Sequence, residues 1–353
     1  MAFTQPKIGI GTKIGFAGEA AWGTGVAAST HALDPRGGME SLVGEVDTFR
    51  PESLSFRGGD PTQFVQGERR VSGNITHDLR FGGGWMLFLS HLTGHLPVDA
   101  GADPFTHTLQ LGRDLSAGTT VTDEGISIHV DRGGQHAAAA EKEWYYTGCR
   151  PTSVDFTFAP NSIATASWEF IGKDVTMQSA QTQTLSTVEY VQHPSRATAP
   201  TSAIKYGTDG SETANASVTA MSLHIEMPWE RLRNIDNQTG LEPMANGQMI
   251  ITGSFEIDAP VATSTFGVLG AAYRDATMNS LLMTVDGADA STAKMLFDFP
   301  KVRITSTGEA PAADAGRITQ TVEWEAHYSG TAGTGMGTFT LTNEEALSHA
   351  ASA

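Results

Sequence analysis

The chain has 353 residues, of which 39 are acidic and 22 basic, for a formal net charge of −17. Tight binding of nucleic acid depends on Lys and Arg that neutralise phosphates, so an acidic chain without a basic cluster is a poor candidate for holding DNA or RNA. An apolar fraction of 39% suffices for ordinary protein cores. No apolar run approaches the ~20 residues that a membrane-spanning helix requires.

The composition also bounds the fold class and the compartment. The single cysteine, Cys149, excludes an internal disulfide framework and any multi-cysteine metal site. The first residues lack the charged-then-apolar order of a secretory signal, so we expect synthesis in the cytoplasm. Many glycines, with abundant Thr, Ser and Ala, are typical of turn-rich β structure. We therefore predict a mainly β fold with one short helix per repeated unit.

Residues 1–30 begin with a short alternating strand at Ile8 and Ile10 and then become Gly-rich. The spacing of these glycines resembles that of a phosphate-binding loop. However, no Lys-Ser/Thr pair follows them, and neither a buried strand nor a long helix flanks them. We expect 1–30 to be an N-terminal arm that pairs with a neighbouring subunit.

A strand–turn–helix unit occurs twice, at 70–94 and 250–273. Aligned without a gap, Val71 faces Ile251 and Gly73 faces Gly253, and both copies begin with the period-two alternation of a strand with one buried face. The apolar residues at helical spacing that follow are Trp85, Phe88, Leu89 and Leu92 in the first copy and Phe266, Leu269 and Tyr273 in the second. Such a duplication predicts two copies of one architecture.

Three further strands match in the same order after each helix. The matching pairs are 126–131 with 281–286, 154–158 with 302–304, and the strand around Trp168 with that around Trp324. Because the spacing between the copies falls after the helix, the first copy should carry an insertion. We place this insertion at 96–122, which is rich in Gly, Asp and Pro.

Long loops precede both repeated strands, at 57–69 and at 230–249. The strands expected to pair across them contain Leu54 and Phe56 in the first copy and Leu223 and Ile225 in the second. Long loops between paired strands often carry contacts. The predicted organisation is an arm at 1–30, a first domain at 31–185, a polar linker at 186–217, a second domain at 218–330 and a loose tail at 331–353.

The sequence contains no recognisable catalytic, cofactor-binding or metal-binding motif. His91 and His95 have the i, i+4 spacing of helical zinc ligands, but the Glu of H-E-x-x-H is missing and Gly94 should end the helix. A G-x-S-x-G elbow is absent, and Cys149 has no evident base. We predict no catalytic residue, no cofactor and no metal site. Trp22 and Trp229 are candidate interface anchors.

Several of these stretches together resemble a known family, the tail tube (major tail) proteins of long-tailed bacteriophages, in its duplicated form. They are GFAGEAAWGTG near the N-terminus, VSGNITHDLRFGGGWMLFLSHLTG, and YYTGCRPTSVDFTF with the later ASWEFIG. The resemblance spans most of 10–330. It rests on the order and spacing of elements rather than on a catalytic motif.

The resemblance implies two tandem β-sandwich or β-barrel tube domains, each with a short helix. It implies trimeric rings with pseudo-sixfold symmetry that stack into a hollow tube, with strands 70–80 and 250–258 near the lumen. The loops at 57–69 and 230–249 would contact the next ring. DNA would pass without specific binding, and a tape measure protein and a tail terminator would be further partners.

We therefore predict a structural virion protein that is made in the bacterial cytoplasm and functions in the phage tail, without enzymatic activity and without a membrane partner. Two alternatives remain at this stage. A two-domain β-sandwich adhesin or carbohydrate-binding module predicts a soluble monomer with exposed aromatic residues in a cleft. An unrecognised hydrolase predicts a pocket of perturbed titratable groups.

Overall fold

The fold is known from a computed structural model. It describes residues 13–26, 29, 31–33, 35–49, 65–82, 84–112, 121, 124–131, 143–159, 162–178, 204–215, 218–232, 240–258, 263–287, 292–310, 319–331 and 334–344. Within these ranges, neither of the two helices combines the length and the hydrophobicity that crossing a bilayer requires.

The first half of the chain contains eleven strands and one helix among the described residues. They are β1 (Lys13–Glu19), β2 (His31–Leu33), β3 (Pro35–Glu40), β4 (Val43–Phe49), β5 (Val65–Asp78), α1 (Met86–Thr93), β6 (Val98–Ala100), β7 (Phe105–Leu111), β8 (Gly125–Asp131), β9 (Glu143–Phe158), β10 (Thr165–Gly172) and β11 (Asp174–Gln178).

The second half contains ten strands and one helix in its described part. They are β12 (Ile204–Gly207), β13 (Thr213–Asn215), β14 (Val218–Glu226), β15 (Trp229–Glu230), β16 (Met244–Ala245), β17 (Ile250–Asp258), α2 (Thr263–Arg274), β18 (Met278–Asp286), β19 (Lys294–Ala310), β20 (Thr319–Ala326) and β21 (Gly337–Asn343).

The pairing of these strands repeats between the halves. Strand β1 pairs with β2 and β8, as β12 pairs with β13 and β18. Strand β10 lies between β5 and β9, as β20 lies between β17 and β19. Strand β11 pairs with the first part of β9, as β21 does with that of β19. The duplication predicted from sequence is therefore visible in the hydrogen-bonded ladders.

All three strand matches predicted from sequence are shifted, two of them by two residues, while Val154 corresponds to Thr307 rather than to Val302 or Ile304. The β9–β10 ladder has a bulge at Thr152, and the β19–β20 ladder has one at Thr305. Superposing the bulges places Phe170, not Trp168, opposite Trp324. The β8–β9 and β18–β19 ladders have matching irregularities, and they align Ile128 with Leu281 rather than with Met283. Residues two apart on a strand point to the same face, so hydrophobic alternation cannot detect such a shift.

The partner strand of the first repeat also differs from the prediction. Residues 54 and 56 lie outside the described residues, and β5 pairs instead with β4, with Val43 opposite Ser72. In the second repeat β14 pairs with β17, with His224 opposite Thr252. The stretch SLVGE at 41–45 thus corresponds to SLHIE at 222–226. Residues 65–69, predicted as loop, belong to β5.

Segments expected to lie outside the domains contribute strands. Lys13–Glu19, within the expected arm, is a buried strand paired with β8. Strands β12 and β13 fall within the expected linker, and β21 falls within the expected tail. The insertion predicted at 96–122 contains β6 and β7, which have no counterpart in the second repeat. Strand β7 pairs with β21, so part of the first repeat extends a sheet of the second.

Strands of both repeats form one continuous sheet, which we call the long sheet. Its order is β4, β5, β10, β9, β14, β17, β20 and β19. The first parts of β9 and β19 also belong to the two shorter sheets, which contain β8 and β18. The fold is mainly antiparallel β, as predicted, but the two repeats share the long sheet.

Aromatic side chains fill the space between the sheets. In α1, Phe88 packs 4.3 Å from the ring of Phe16 in β1 and 5.5 Å from that of Trp168 in β10. Helix α1 is buried throughout and ends at Gly94, whose φ of 83° suits a glycine C-cap. Phe156 lies 5.6 Å from Phe297, so the two cores are continuous. In α2, Leu269 is buried but Tyr273 is 49% exposed, contrary to the single apolar face predicted.

The two buried core tryptophans of the long sheet differ in hydrogen bonding. Trp168 Nε1 donates to His77 Nε2 at 3.1 Å. In the second repeat the residues that correspond to His77 and Trp168 are Ile257 and Val322, whereas Trp324 lies opposite Gly253, and its Nε1 has no hydrogen-bond partner among the described residues. The mismatch of His77 with Ile257 therefore accompanies the change from Trp168 to Val322 at the matching position.

Replacing each tryptophan by Phe should separate the contribution of the Trp168–His77 hydrogen bond from that of ring packing. Trp168→Phe leaves a buried imidazole nitrogen unpaired, whereas Trp324→Phe removes an N–H that is already unpaired. We expect Trp168→Phe to lower the free energy of unfolding by about 1–3 kcal/mol more than Trp324→Phe. Urea unfolding of the unassembled subunit measures both, and equal losses would contradict the hydrogen-bond assignment.

Candidate functional site

The two repeats meet at a ladder between one strand of each. Strand β14 of the second repeat pairs with β9 of the first, from Met221 opposite Phe158 to Glu226 opposite Ser153. On the buried face, Leu223 is directly opposite Phe156. On the polar face, His224 Nδ1 lies 2.7 Å from Asp155 Oδ1. The ladder therefore joins the repeats by backbone hydrogen bonds and by side chains on both faces.

Arg150, in β9, extends this junction beyond the ladder. Its side chain is buried, with 8% of the residue exposed. Nη1 donates to the carbonyl oxygen of Pro243 at 3.1 Å, and Nη2 lies 2.9 Å from Glu242 Oε1. Nη2 also donates to the carbonyl oxygen of Glu124. Burial lowers the pKa of Arg150, and Glu242 opposes that shift.

Apart from Glu124, the partners of Arg150 belong to a hairpin of the second repeat, described at 227–232 and 240–249. The Trp229 ring centroid lies 4.5 Å from the Arg150 guanidinium, and Trp229 Nε1 donates to the carbonyl of Pro151 at 3.1 Å. Arg231 donates to the carbonyl of Val71 at 2.6 Å. This hairpin, predicted to contact another ring, therefore packs on the first repeat of its own chain.

The other candidate anchor, Trp22, also contacts its own chain. Its Nε1 donates to the carbonyl of Gly148 at 2.9 Å, and Lys173 Nζ lies 5.0 Å from its ring centroid. Buried Glu19 accepts hydrogen bonds from the N–H groups of Gly23 and Gly148 and from the Ser127 hydroxyl. Burial raises the pKa of Glu19 despite these bonds. The network holds residues 20–26 against the first repeat.

Each repeat ends in a strand edge, and the two edges differ in their pairing. The second part of β9 has β10 on one side and β14 on the other. The corresponding part of β19, Ile304–Ala310, has β20 on one side and no partner on the other among the described residues. At the opposite end of the long sheet, β3 and β4 pair only with β5 in that part of the chain.

The exposed face of the long sheet, which we call the polar face, is acidic. Side chains on it alternate with the buried ones, and many are Ser or Thr. Its acidic residues are Asp78, Asp155, Glu169, Glu226, Glu256, Glu323 and Glu325. The basic or titratable groups that we place on it are His224, Arg303 and Arg70, which is paired with Glu45 of the same face, and Arg36 Nε lies 3.7 Å from Asp78 Oδ1. The sequence indicated an acidic protein but not this concentration on one face.

The histidines singled out in the sequence lie in the core. His91 is buried in α1, and His95 is buried just after Gly94. No group of three or more His, Cys, Asp or Glu side chains in the described ranges is arranged to hold a metal. Cys149 is buried, and burial raises the pKa of its thiol well above the usual value.

Comparison with known proteins identifies a family that covers most of the chain. A family model described as "Phage tail tube protein" matches residues 9–326. Among solved structures, a chain from "Virion of native gene transfer agent (GTA) particle" is similar with a TM-score of 0.28 and 11% identity, and the alignment covers 35% of this chain and 91% of that one. That structural similarity is too weak to carry an argument. A search of curated proteins found no match.

The buried histidines should make the subunit sensitive to acid. Burial lowers the pKa of His77 and of His129 to about 4 and that of His91 to about 3. In the unfolded chain a histidine titrates near ~6.5. Between these pH values the unfolded chain binds protons that the folded chain does not, so stability falls as pH decreases from ~6.5 to ~4.

His91→Leu tests this account. Each such histidine contributes on the order of 3 kcal/mol to the loss of stability in acid. His91→Leu should therefore reduce the difference between the free energies of unfolding at pH 7 and pH 4.5, as measured in urea. Leu92→Ala is the control, since it should lower stability equally at both pH values. An unchanged pH dependence in His91→Leu would contradict the assignment.

Proposed function

The chain belongs to the phage tail tube protein family and is a structural component of a virion tail, and from this premise we propose that it closes into trimeric rings that stack into a tube. Its role is structural, and nothing in that role requires catalysis. The observation that carries the ring proposal is the β9–β14 ladder, because it supplies a template for the contact between subunits.

The template follows from the repeat. Strand β14 lies beside β17 as β3 and β4 lie beside β5. The part of β9 that pairs with β14 corresponds to Ile304–Ala310 of β19. A neighbouring subunit that donates β4 to this edge would therefore repeat, between chains, the contact that joins the repeats within one chain. Such a head-to-tail contact forms a ring when the rotation closes.

The register of the contact can be derived residue by residue. His224 is opposite Asp155 in the internal ladder. The residue corresponding to His224 is Val43, because each is opposite the matching residue of the next strand. The residue corresponding to Asp155 is Gly308, which is opposite Thr321. We therefore place Val43 of one subunit opposite Gly308 of its neighbour.

The unassembled edges have features that limit uncontrolled pairing. Strand β3 begins with Pro35, which has no N–H to donate, and its ladder with β5 is interrupted between Pro35 and Glu40. A proline and a bulge at an exposed edge are common protections against aggregation. The β4 edge, from Val43 onward, is more regular, and Val43 is 49% exposed.

Three chains with two repeats each would give a ring of six similar units. In this proposal the tube domains extend over 31–185 and 218–330, with β1 and β21 packed against them. The polar face lines the lumen, where its acidic side chains repel the phosphates of passing DNA. Residues 57–64 of the predicted contact loop, which lie outside the described residues, provide contacts between rings together with the chain ends.

Further partners belong to the same proposal. A tape measure protein would occupy the lumen during assembly, and a tail terminator would bind the last ring. The protein would be made in the cytoplasm of the bacterial host before incorporation into the tail.

Negative-stain electron microscopy of the purified full chain tests the proposal. Over a concentration series we expect rings with a central hole and threefold or pseudo-sixfold symmetry, followed by stacked tubes at high concentration. Native mass spectrometry should show a trimer as the smallest closed species. A dispersed monomer at every concentration would contradict ring formation.

A further inference from the structure

The hairpin of the second repeat that covers Arg150 contains the one Asn-Gly pair of the sequence, Asn246–Gly247. Both residues are exposed, and they lie in the bend between β16 and β17. In the described part of the chain, neither the Asn246 side chain nor the Gly247 N–H has a hydrogen-bond partner. The side-chain amide and the backbone nitrogen that follows it are therefore free to approach each other.

We propose that Asn246 is a site of spontaneous deamidation, a modification of the subunit that consumes only water. The Gly247 nitrogen, after losing its proton to hydroxide, attacks Cγ of Asn246 and forms a cyclic succinimide, and Gly247 has no Cβ to hinder this attack. The side-chain nitrogen takes up a proton and leaves as ammonia. Water then opens the succinimide at either carbonyl, which gives aspartate or isoaspartate at residue 246.

Two other asparagines show what protects this type of side chain. Asn343 is buried, and its Nδ2 donates to the carbonyl of Phe81 at 2.8 Å. Asn279 Nδ2 donates to the Tyr206 hydroxyl at 3.1 Å. A side chain that is held in this way must break its hydrogen bond before it can reach the backbone. Neither asparagine is followed by glycine.

Isoaspartate at residue 246 would alter the hairpin, because it places an extra carbon in the main chain. The bend is closed by the Asn246 N–H, which donates to the carbonyl of Pro228 at 2.9 Å, and by the ladder of β15 with β16. A Cβ added to Gly247 would lie 2.8 Å from Pro228 Cγ, so the backbone is already in close contact there. Since Trp229 of β15 packs on the Arg150 guanidinium, a longer bend should loosen the cover of Arg150.

Ageing of the purified full chain at alkaline pH, followed by peptide mass spectrometry, tests the site. We expect residue 246 to convert about tenfold faster than Asn279 or Asn343, because Gly247 leaves the backbone nitrogen unhindered. Labelling with an isoaspartyl methyltransferase should mark the isoaspartate in this peptide. Asn246→Gln retains the N–H that bonds Pro228 and should remove that label. Conversion of residue 246 only in the urea-unfolded chain, or equal conversion at Asn279, would overturn the proposal.

A second measurement tests the consequence for the hairpin. Phenylglyoxal should leave Arg150 unmodified in the fresh subunit but should modify it in the isoaspartyl form. Asn246→Asp is the matched control, because it adds the same charge without the extra main-chain carbon and should keep Arg150 protected. An Arg150 that stays unreactive after conversion would contradict the loosening. Neither measurement uses rings, so each outcome is independent of the proposed function.

Discussion

A β-strand has hydrogen-bonding groups on two sides, and the long sheet shows how this chain satisfies them. Within the chain, the second part of β9 is paired on both sides because β14 of the next repeat lies against it. In β19 the backbone groups of Ile304–Ala310 also need partners on both sides, but among the described residues β20 pairs with one side only. Backbone groups that are left unpaired beside an apolar core are costly. Completion of the sheet by another copy is therefore the constraint that connects fold and assembly.

The two repeats are connected by more than this ladder. Phe156 of the first repeat packs on Phe297 of the second, and the ring of Trp85, the N-cap residue of α1, lies 5.5 Å from that of Phe339 in β21. Strand β7 extends the sheet of the second repeat through β21. These contacts set the angle between the repeats within one chain. In the proposed ring the same angle would recur between chains, so the rigidity of the internal junction would favour closure.

Much of this organisation was visible in the sequence, and the misses have physical causes. The match of Val71 with Ile251 and Gly73 with Gly253 agrees with the strand ladders. Gly253 packs so closely against the Trp324 ring that a side chain there would not fit. The match of Trp168 with Trp324 is wrong by two residues, because residues two apart on a strand point to the same face and hydrophobic alternation cannot distinguish them. Aligning RPTS at 150–153 with RITS at 303–306 would have corrected this match.

Interface residues were harder to predict than the fold. Nothing in the local sequence around Trp229 or Arg150 distinguishes a contact within the chain from one between chains, because that distinction depends on where β14 docks. The importance of 41–45 was missed because Gly44 and the break between β3 and β4 weaken the alternation there. Its match with 222–226 was the available signal.

A designed disulfide tests the central claim most directly. Val43→Cys and Gly308→Cys in one chain place cysteines at the pair derived from His224 and Asp155, while the native Cys149 is fully buried. Under oxidation, rings should yield covalent dimers and trimers on non-reducing gels, with no larger species. The single variants and the misaligned pair Val43→Cys with Lys301→Cys should not form trimers. Assembled tubes without this cross-link, or equal cross-linking of the misaligned pair, would contradict a ring closed by β4 on β19.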